Sequence, residues 1–194
     1  MARTREFDPS SALASAVDMF ATKGYSETSM EDLVRATGVS RYGIYGTFGN
    51  KRELFEQALE LYADQMGRQA FLRLLEPDAS LDHIRAIFAE RICEACAEDR
   101  AKGCLFVHTT MQLASQDTEL QAVLQNWMKR MSKAFSVGLG SAKARGEVRE
   151  DLDVRDAGIY LTTTVLGLAV MARMGFPKET LDGIVDSAFA SLTG

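Results

Sequence analysis

The sequence predicts an all-α protein of about nine helices, with an N-terminal helix-turn-helix domain and a larger C-terminal helical domain. Apolar residues recur at helical spacing through almost all of the 194 residues. No stretch shows the alternation of apolar and polar residues, or the Asn-Gly turn, that favours a β-hairpin. The three prolines, Pro9, Pro77 and Pro177, stand where helices would begin or end.

Three helices are predicted in the first 48 residues. The first carries an apolar stripe on one side and ends at Gly24. Thr28 and Glu31 have the spacing of a capping box, so the second helix is expected to begin there. Gly38 breaks the second helix, and Ser40 is a good N-cap for the third.

A long fourth helix is predicted from about Lys51 toward Leu75. The sequence then predicts five further helices, which begin near Ser80, Gly103, Asp117, Asp153 and Pro177. The helix that begins near Asp153 is apolar nearly all round, which indicates burial on more than one side. Its threonines and Arg173 favour a buried helix over a membrane span.

The charge is distributed unevenly along the chain. Its net value is −5, and an acidic protein is a poor candidate for binding phosphates. Residues 1–52, however, hold seven basic and six acidic side chains, whereas residues 53–194 hold 15 and 21. The sequence is therefore read in two parts, residues 1–52 and residues 53–194, joined by the long helix that begins near residue 51.

Cysteine content indicates the compartment. Three cysteines in 194 residues, without an apolar segment typical of a signal peptide at the N-terminus, favour a reducing environment. The sequence thus predicts a cytoplasmic protein without membrane attachment.

The stretch from Met30 to Phe48 has the pattern of a helix-turn-helix. Its turn requires a residue that tolerates positive φ, and Gly38 supplies it. Val39 and Ile44 can fill the core between the two helices. The second helix presents its other residues outward, where they can reach bases and phosphates in the major groove. These residues are Arg41, Tyr42, Gly43, Tyr45 and Thr47.

Over about residues 9–60 the sequence resembles the DNA-binding domain of TetR-family transcriptional repressors. The matching residues are Met19-Phe20, Gly24-Tyr25, Thr28, Leu33, Gly38-Val39-Ser40, Ile44-Tyr45, Phe48 and Lys51. The resemblance implies a homodimer, with a DNA-binding domain over residues 1–52 and a ligand-sensing and dimerisation domain over residues 53–194. It also implies that Arg41, Tyr42 and Gly43 face bases, while Thr28, Tyr45, Thr47 and Lys51 face phosphates. Ser40 completes the candidate DNA-binding set. Thr47 departs from the family pattern, since many members carry His there.

Cysteine and histidine residues suggest two further kinds of site. Cys93, Cys96, Cys104 and His108 contain the atoms of a tetrahedral zinc site. Cys93 and Cys96 fit small apolar positions on a helix equally well, so we expect no metal and no cofactor. Cys104 follows Lys102 at the expected start of a helix, a setting that can activate a thiol. It is therefore a candidate redox or electrophile sensor, with ordinary packing as the alternative.

Soft and aromatic residues on the middle helices are candidates for an effector pocket, with ordinary core packing as the alternative for each. The apolar candidates are Phe88, Phe106, Met111, Trp127 and Met131. The candidate orienting polar groups are His108, Gln112, Tyr160 and Thr163.

The last two helices are predicted to pair with those of a second copy as a four-helix bundle. The apolar positions at helical spacing are Leu161, Thr164, Val165, Leu168, Ala172, Ile184, Val185, Ala188, Phe189 and Leu192. The small residues Gly158, Gly167 and Ala169 would allow close approach. A core within one chain is the alternative for some of these positions.

These features predict a dimeric, sequence-specific transcriptional repressor. It would bind a pseudo-palindromic double-stranded operator with half-sites about 34–36 Å apart, and a small-molecule effector would release it. Thiol sensing through Cys104 is an alternative route to release. A cysteine-dependent enzyme that uses Cys104 and His108 is an alternative of another class, without a nucleophile elbow or Gly-rich phosphate loop in its support. A helical partner-binding protein without an effector is the third.

Overall fold

The computed structural model describes residues 7–68, 70–97, 104–113 and 117–193, without the side chains of 66–68 and 70. These residues form ten helices and no strand, so the all-α prediction is confirmed. The helices are α1 (Pro9–Lys23), α2 (Met30–Thr37), α3 (Arg41–Phe48), α4 (Lys51–Arg68), α5 (Ala70–Leu74), α6 (Leu81–Cys96), α7 (Leu105–Leu113), α8 (Thr118–Ala144), α9 (Val154–Arg173) and α10 (Lys178–Thr193).

The segment from Lys51 toward Leu75, predicted as one long helix, is helical on both sides of residue 69, as α4 and α5. Residue 69 lies outside the described residues, so a single continuous helix stays a prediction.

Several predicted helix ends are confirmed. Gly24 terminates α1 with a φ of 79°. The Ser40 hydroxyl accepts a hydrogen bond from the Gly43 N–H at 3.1 Å and so caps α3. Asp117 caps α8 by accepting from the Leu120 N–H. These ends depend on side chains within four residues of the cap, so local sequence predicts them well.

The predicted capping box at Thr28 and Glu31 is wrong by one residue. Ser29 and Asp32 form it, since each side chain accepts a hydrogen bond from the other residue's backbone N–H. Thr28 is buried instead, and its hydroxyl donates to the Gly24 carbonyl at 2.6 Å. The sequence is compatible with a capping box that begins at Thr28 or at Ser29. The hydrogen bond from the Thr28 hydroxyl to Gly24 favours the one at Ser29.

Helices α1–α3 pack with the first turns of α4 into a unit that we call the reader. Its core includes Phe20, Leu33, Ile44 and Phe55, all fully buried. The Phe20 and Phe55 rings meet edge to face, with centroids 5.0 Å apart, and Tyr25 lies 4.8 Å from Phe55. Phe55 belongs to α4, so this core extends beyond residue 52. The domain division at residues 52 and 53 stays a prediction.

The rest of α4 and α5–α10 form a larger unit that we call the sensor. Helix α9 runs through it and packs against α8, α6 and α10. The Phe88 ring contacts Phe135 and Phe189, with centroid separations of 5.9 and 5.5 Å, and so joins α6 to α8 and α10. Within the described ranges, α9 is long and apolar enough to cross a membrane, which by itself is weak evidence of a span, and one of its sides packs against α8, α6 and α10.

Helix α9 is buried on one side only, so the prediction of burial nearly all round is wrong for this single chain. Its buried residues are Ala157, Gly158, Leu161, Thr162, Val165, Leu168 and Ala172. The opposite side, which we call the open face, carries exposed residues at helical spacing. They are Ile159, Tyr160, Thr163, Gly167, Val170 and Met174.

Most residues predicted to pair with a second copy belong to the core of one chain. Leu161, Val165, Leu168 and Ala172 face inward on α9, as do Val185, Ala188, Phe189 and Leu192 on α10. Gly158 also serves this internal packing. A Cβ atom there would lie 2.6 Å from the Ser132 carbonyl oxygen of α8. The sequence predicted close helix approach at Gly158 but assigned it to the wrong pair of helices.

Candidate nucleic-acid interface and effector cavity

The two helices of the helix-turn-helix are α2 and α3. Gly38 joins them with a φ of 68°, in the left-handed region that the sequence predicted for this turn. Val39 and Ile44 are buried beneath α3, which fixes its orientation. The opposite side of α3 therefore faces solvent, where Tyr42 is 83% and Tyr45 48% exposed.

Two cations stand at this surface, each with a neighbour that positions it. The Arg41 guanidinium is exposed and lies 3.2 Å from the Glu31 carboxylate of α2. The Lys51 ammonium lies 4.4 Å from the centroid of the Tyr25 ring, a cation–π contact at the first residue of α4. Partial burial lowers the pKa of Lys51 below its ordinary value. The amino end of α4 adds its positive dipole end beside this ammonium.

The other predicted DNA-binding residues differ in accessibility. Ser40 is exposed and Thr47 half-buried, while the Thr28 side chain is buried. Gly43 has a packing role, because a Cβ atom there would lie 2.8 Å from a methyl group of Val39. A larger residue at position 43 would therefore require the Val39 side chain to shift.

Arg52 is turned away from the exposed side of α3. Its guanidinium is paired with Glu56, at 2.6 Å, and with Asp117, the N-cap of α8. These carboxylates raise the pKa of Arg52 above its ordinary value. Arg52 therefore joins α4 to the start of α8 and does not stand beside Arg41 and Lys51.

A cavity of about 440 Å³ lies between α1, α4, α6, α8, α9 and α10. Most of its wall is apolar, and Tyr62, Gln65 and several charged side chains supply its polar part. The apolar residues are Val17, Ala21, Ile92, Ala95, Ala97, Trp127, Val165, Leu166, Leu168, Ala169, Ala172 and Leu181. Its size and composition are those of a site for one small organic molecule.

The structure brings few of the predicted pocket residues to this cavity. Trp127 lines it, while Phe106 and Met111 line a smaller groove of about 100 Å³ that shares Trp127 and Leu166 with it. Phe88 and Met131 are core residues.

The four predicted polar groups lie elsewhere. Tyr160 and Thr163 lie on the open face of α9. The Gln112 side chain accepts a hydrogen bond from the Ser26 N–H of the reader at 3.4 Å. His108 is half-buried, and burial followed by the charge of Arg173 lowers its pKa.

Sequence reasoning missed the cavity residues of α1, α4 and α6, among them Val17, Tyr62 and Ile92. Each occupies an ordinary apolar helix position in the sequence. Only the rotation of each helix decides whether such a side chain fills the core or lines a space, so no local signal could have found them.

Cys104 faces the cavity beside Tyr62. Burial is the largest cause that raises the pKa of Tyr62 well above its ordinary value, and the neighbouring Cys104 side chain adds to the rise. Cys93 is exposed and Cys96 half-buried, and the described side chains form no group of three or more potential metal ligands. Lys102, which was expected to help activate the Cys104 thiol, lies outside the described residues.

Comparison with protein families decides what kind of protein this is. Residues 12–58 match the family described as bacterial regulatory proteins, tetR family, and residues 80–186 match the tetracyclin repressor-like C-terminal domain. The chain belongs to the TetR family. Both parts of this TetR-family protein, reader and sensor, are covered by these matches.

Relatives along the whole chain agree with this assignment. The uncharacterized HTH-type transcriptional regulator YezE of Bacillus subtilis is 32% identical over 99% of this chain and 100% of its own length. The HTH-type transcriptional repressor ComR of Escherichia coli is 27% identical over 92% of this chain and 86% of its own. A cysteine mutant of the TetR-family regulator CifR, solved with a 26-bp operator DNA, superposes with a TM-score of 0.84 at 25% identity, over 98% of this chain and 99% of its own.

The TetR-family protein is therefore a DNA-binding transcriptional repressor and not an enzyme. Its family typically works as homodimers that bind effectors and operator DNA. The predicted repressor function is confirmed, and the cysteine-dependent enzyme is wrong. Thiol sensing through Cys104 is not favoured.

Proposed function

We propose that this repressor reads its operator with the outward side of α3 and anchors it with Lys51. The observation that carries the proposal is the exposed surface of α3, where Arg41 and Tyr42 stand clear of the reader core. An arginine and a tyrosine there can reach bases and phosphates from the major groove. Ser40, Gly43, Tyr45 and Thr47 are the further proposed contacts, whereas the buried Thr28 side chain is left out.

Dimerisation is proposed to use the open face of α9. Val170 is 42% and Met174 71% exposed on one chain, and a second copy would cover both. A twofold pair of readers would then bind a pseudo-palindrome with half-sites about 34–36 Å apart. The cytoplasm, where chromosomal DNA is accessible, is the proposed location.

An effector in the 440 Å³ cavity is proposed to end repression. Helix α4 belongs to both the reader and the sensor, so a tilt of α4 would change the distance between the two readers of a dimer. Release requires that the effector binds the two spacings with different affinity.

The test is fluorescence anisotropy with the DNA upstream of the protein's own gene, measured at several salt concentrations. Arg41→Ala should weaken binding by about 1–3 kcal/mol per contact, while Lys51→Ala should weaken operator and unrelated DNA alike and lower the salt dependence by about one per site. Arg149→Ala is the matched control, since Arg149 is an exposed arginine paired with Asp151 in the sensor. Unchanged binding by both reader variants would contradict the assignment of α3.

A further inference from the structure

The cavity has the reader as part of its wall. Val17, Asp18 and Ala21, all on α1, face the same space as Ala169 and Ala172 of α9. A molecule in this cavity would therefore touch the first helix of the DNA-binding unit itself. No transmission along α4 is needed for that contact.

Arg173 crosses from the sensor to the reader at the edge of this cavity. It is the last residue of α9 and lines the cavity. Its Nη2 atom donates a hydrogen bond to the Thr22 carbonyl oxygen of α1 at 3.1 Å. The bond fixes the last turn of α1 against the end of α9.

The last turn of α1 is in turn connected to the helix-turn-helix. Lys23 follows Thr22 and forms an ion pair of 2.9 Å with Asp32 of α2. Asp32 is the capping-box partner of Ser29, so it also fixes the start of α2. Contacts therefore run without a gap from the cavity through α1 to the helix that precedes α3.

The lining indicates the chemical class of the occupant. Three aromatic rings lie in a row beside the cavity. The Phe106 ring is stacked on the Trp127 ring, with centroids 3.9 Å apart, and its centroid lies 5.4 Å from that of the Tyr62 ring. The charged groups include both signs, Arg91 with Glu94 at 2.8 Å and also Asp18 and Arg173. An ionised ligand would lose its hydration in a largely apolar space, so an uncharged aromatic molecule fits better.

We propose that the cavity binds an uncharged aromatic molecule, and that this occupant acts on the reader through the α1 wall and the Arg173–Thr22 hydrogen bond. The inference rests on the proposed function in taking the cavity as the effector site. It differs in the route, because α1 receives the signal directly. Arg173 is a positioning residue in this scheme, because it acts on the reader through the Thr22 carbonyl of α1.

Binding is tested first, with a matched pair of probes. N-phenyl-1-naphthylamine is uncharged, and 8-anilino-1-naphthalenesulfonate carries similar rings with a sulfonate. The chain contains one tryptophan, Trp127, which lies in the walls of the cavity and of the neighbouring groove and reports binding at this part of the sensor through energy transfer to either probe. The uncharged probe should bind at least about tenfold more tightly, in keeping with the cost of burying a charge. Tighter binding of the sulfonate, or no transfer from Trp127, would overturn the assigned ligand class.

Coupling is tested with Arg173→Met, which keeps the length of the side chain and removes its donors. The wild-type protein with the uncharged probe should show altered hydrogen exchange of the amides of residues 17–24. In the variant, that change should be lost even at a probe concentration that saturates the energy transfer from Trp127. Arg155→Met, an exposed arginine at the start of α9, is the control and should behave as wild type. This measurement needs no DNA.

The same proteins are then titrated with operator DNA with and without the probe. The probe should change the operator affinity of wild type by a factor within the usual range of about 5–150, and that of Arg173→Met by less than about twofold. An unaltered coupling factor in Arg173→Met would overturn the proposed route. A wild-type protein that shows the exchange response but binds no operator would instead contradict the proposed function, so the two failures are distinguishable.

Discussion

The reader and the sensor are both built from helices on an apolar core, yet they place their functional groups differently. In the reader the groups stand on the outside of α3, as exposed side chains such as Tyr42 above a core that includes Ile44. In the sensor they surround a space that six helices leave between them. An outward side chain is specified by its own helix, whereas a cavity is specified by the mutual packing of several. The first kind of site can therefore be found locally in a sequence, and the second cannot.

The largest expected effect is on dimerisation and operator affinity. It comes from a substitution that tests whether the outer surface of the sensor is functional too. Gly167→Arg places a charged side chain on the open face of α9, in space that is empty in one chain. If a second copy covers this face, the variant should be monomeric in light scattering. Operator affinity should then fall by about 10²-fold or more, because the advantage of two linked readers is lost. A dimer of normal stability would place the interface elsewhere.

A second prediction concerns the inner side of the same helix. Gly158→Ala pushes a Cβ atom against the Ser132 carbonyl oxygen, and overpacking of this kind costs about 1–3 kcal/mol. The midpoint of thermal unfolding should fall. Gly140→Ala is the matched control on α8, with no atom near the added methyl group, and should raise stability by about 0.5–1 kcal/mol. Equal effects of the two substitutions would show that α8 and α9 separate more readily than their packing indicates.

A third prediction uses the pH dependence of the reader. Lys23, and then the hydrogen bonds from Ser29, hold the pKa of Asp32 below its ordinary value. A depressed carboxylate pKa stabilises the folded state above the unfolded pKa, near 4, and this contribution fades as the pH falls toward the folded value. Asp32→Asn should therefore lower the urea midpoint at pH 7, and its difference from wild type should shrink below about pH 4. A difference that persists at low pH would assign the effect to geometry and not to charge.

The smallest expected effect is on the DNA-binding surface itself. Glu31→Gln removes the carboxylate beside Arg41, an exposed pair worth about 0–1 kcal/mol. Binding to unrelated DNA should tighten about two- to fivefold at low salt, with discrimination between operator and other DNA reduced. Glu150→Gln, an exposed carboxylate in the sensor, provides the same charge change as a control. Equal tightening in both variants would make net charge, and not the Glu31–Arg41 pair, the cause.

More features of the reader than of the sensor could be predicted from the sequence. Gly24, Gly38 and Ser40 end or cap helices where predicted, because these signals act within a few residues. The prediction of a capping box that begins at Thr28 was wrong, because Ser29 and Asp32 have the same spacing and also suit a capping box. In the sensor, Trp127 was the predicted pocket residue that lines the 440 Å³ cavity. The lining residues on other helices could not be predicted, because their spacing in the sequence does not show which of them face the cavity.

Two side chains show why other parts of the structure could not be predicted from the sequence. Arg52 lies next to Lys51 in sequence, yet it pairs with Asp117 of α8 and leaves the DNA-binding surface. Arg173 is an ordinary basic residue in the last turn of a helix, yet it donates to the α1 carbonyl of Thr22 across the chain. Both partners are more than 60 residues away in sequence.

The sequence by itself determined the helical class, most helix ends, the helix-turn-helix and the family to which it belongs. Each of these depends on residue types at short, fixed spacings, which the chain carries wherever it folds. Tertiary structure decided which face of α9 is open, which side chains border the cavity, and that α1 of the reader forms part of its wall. Those features depend on the rotation of each helix against its neighbours, and that rotation is fixed only when the whole core packs.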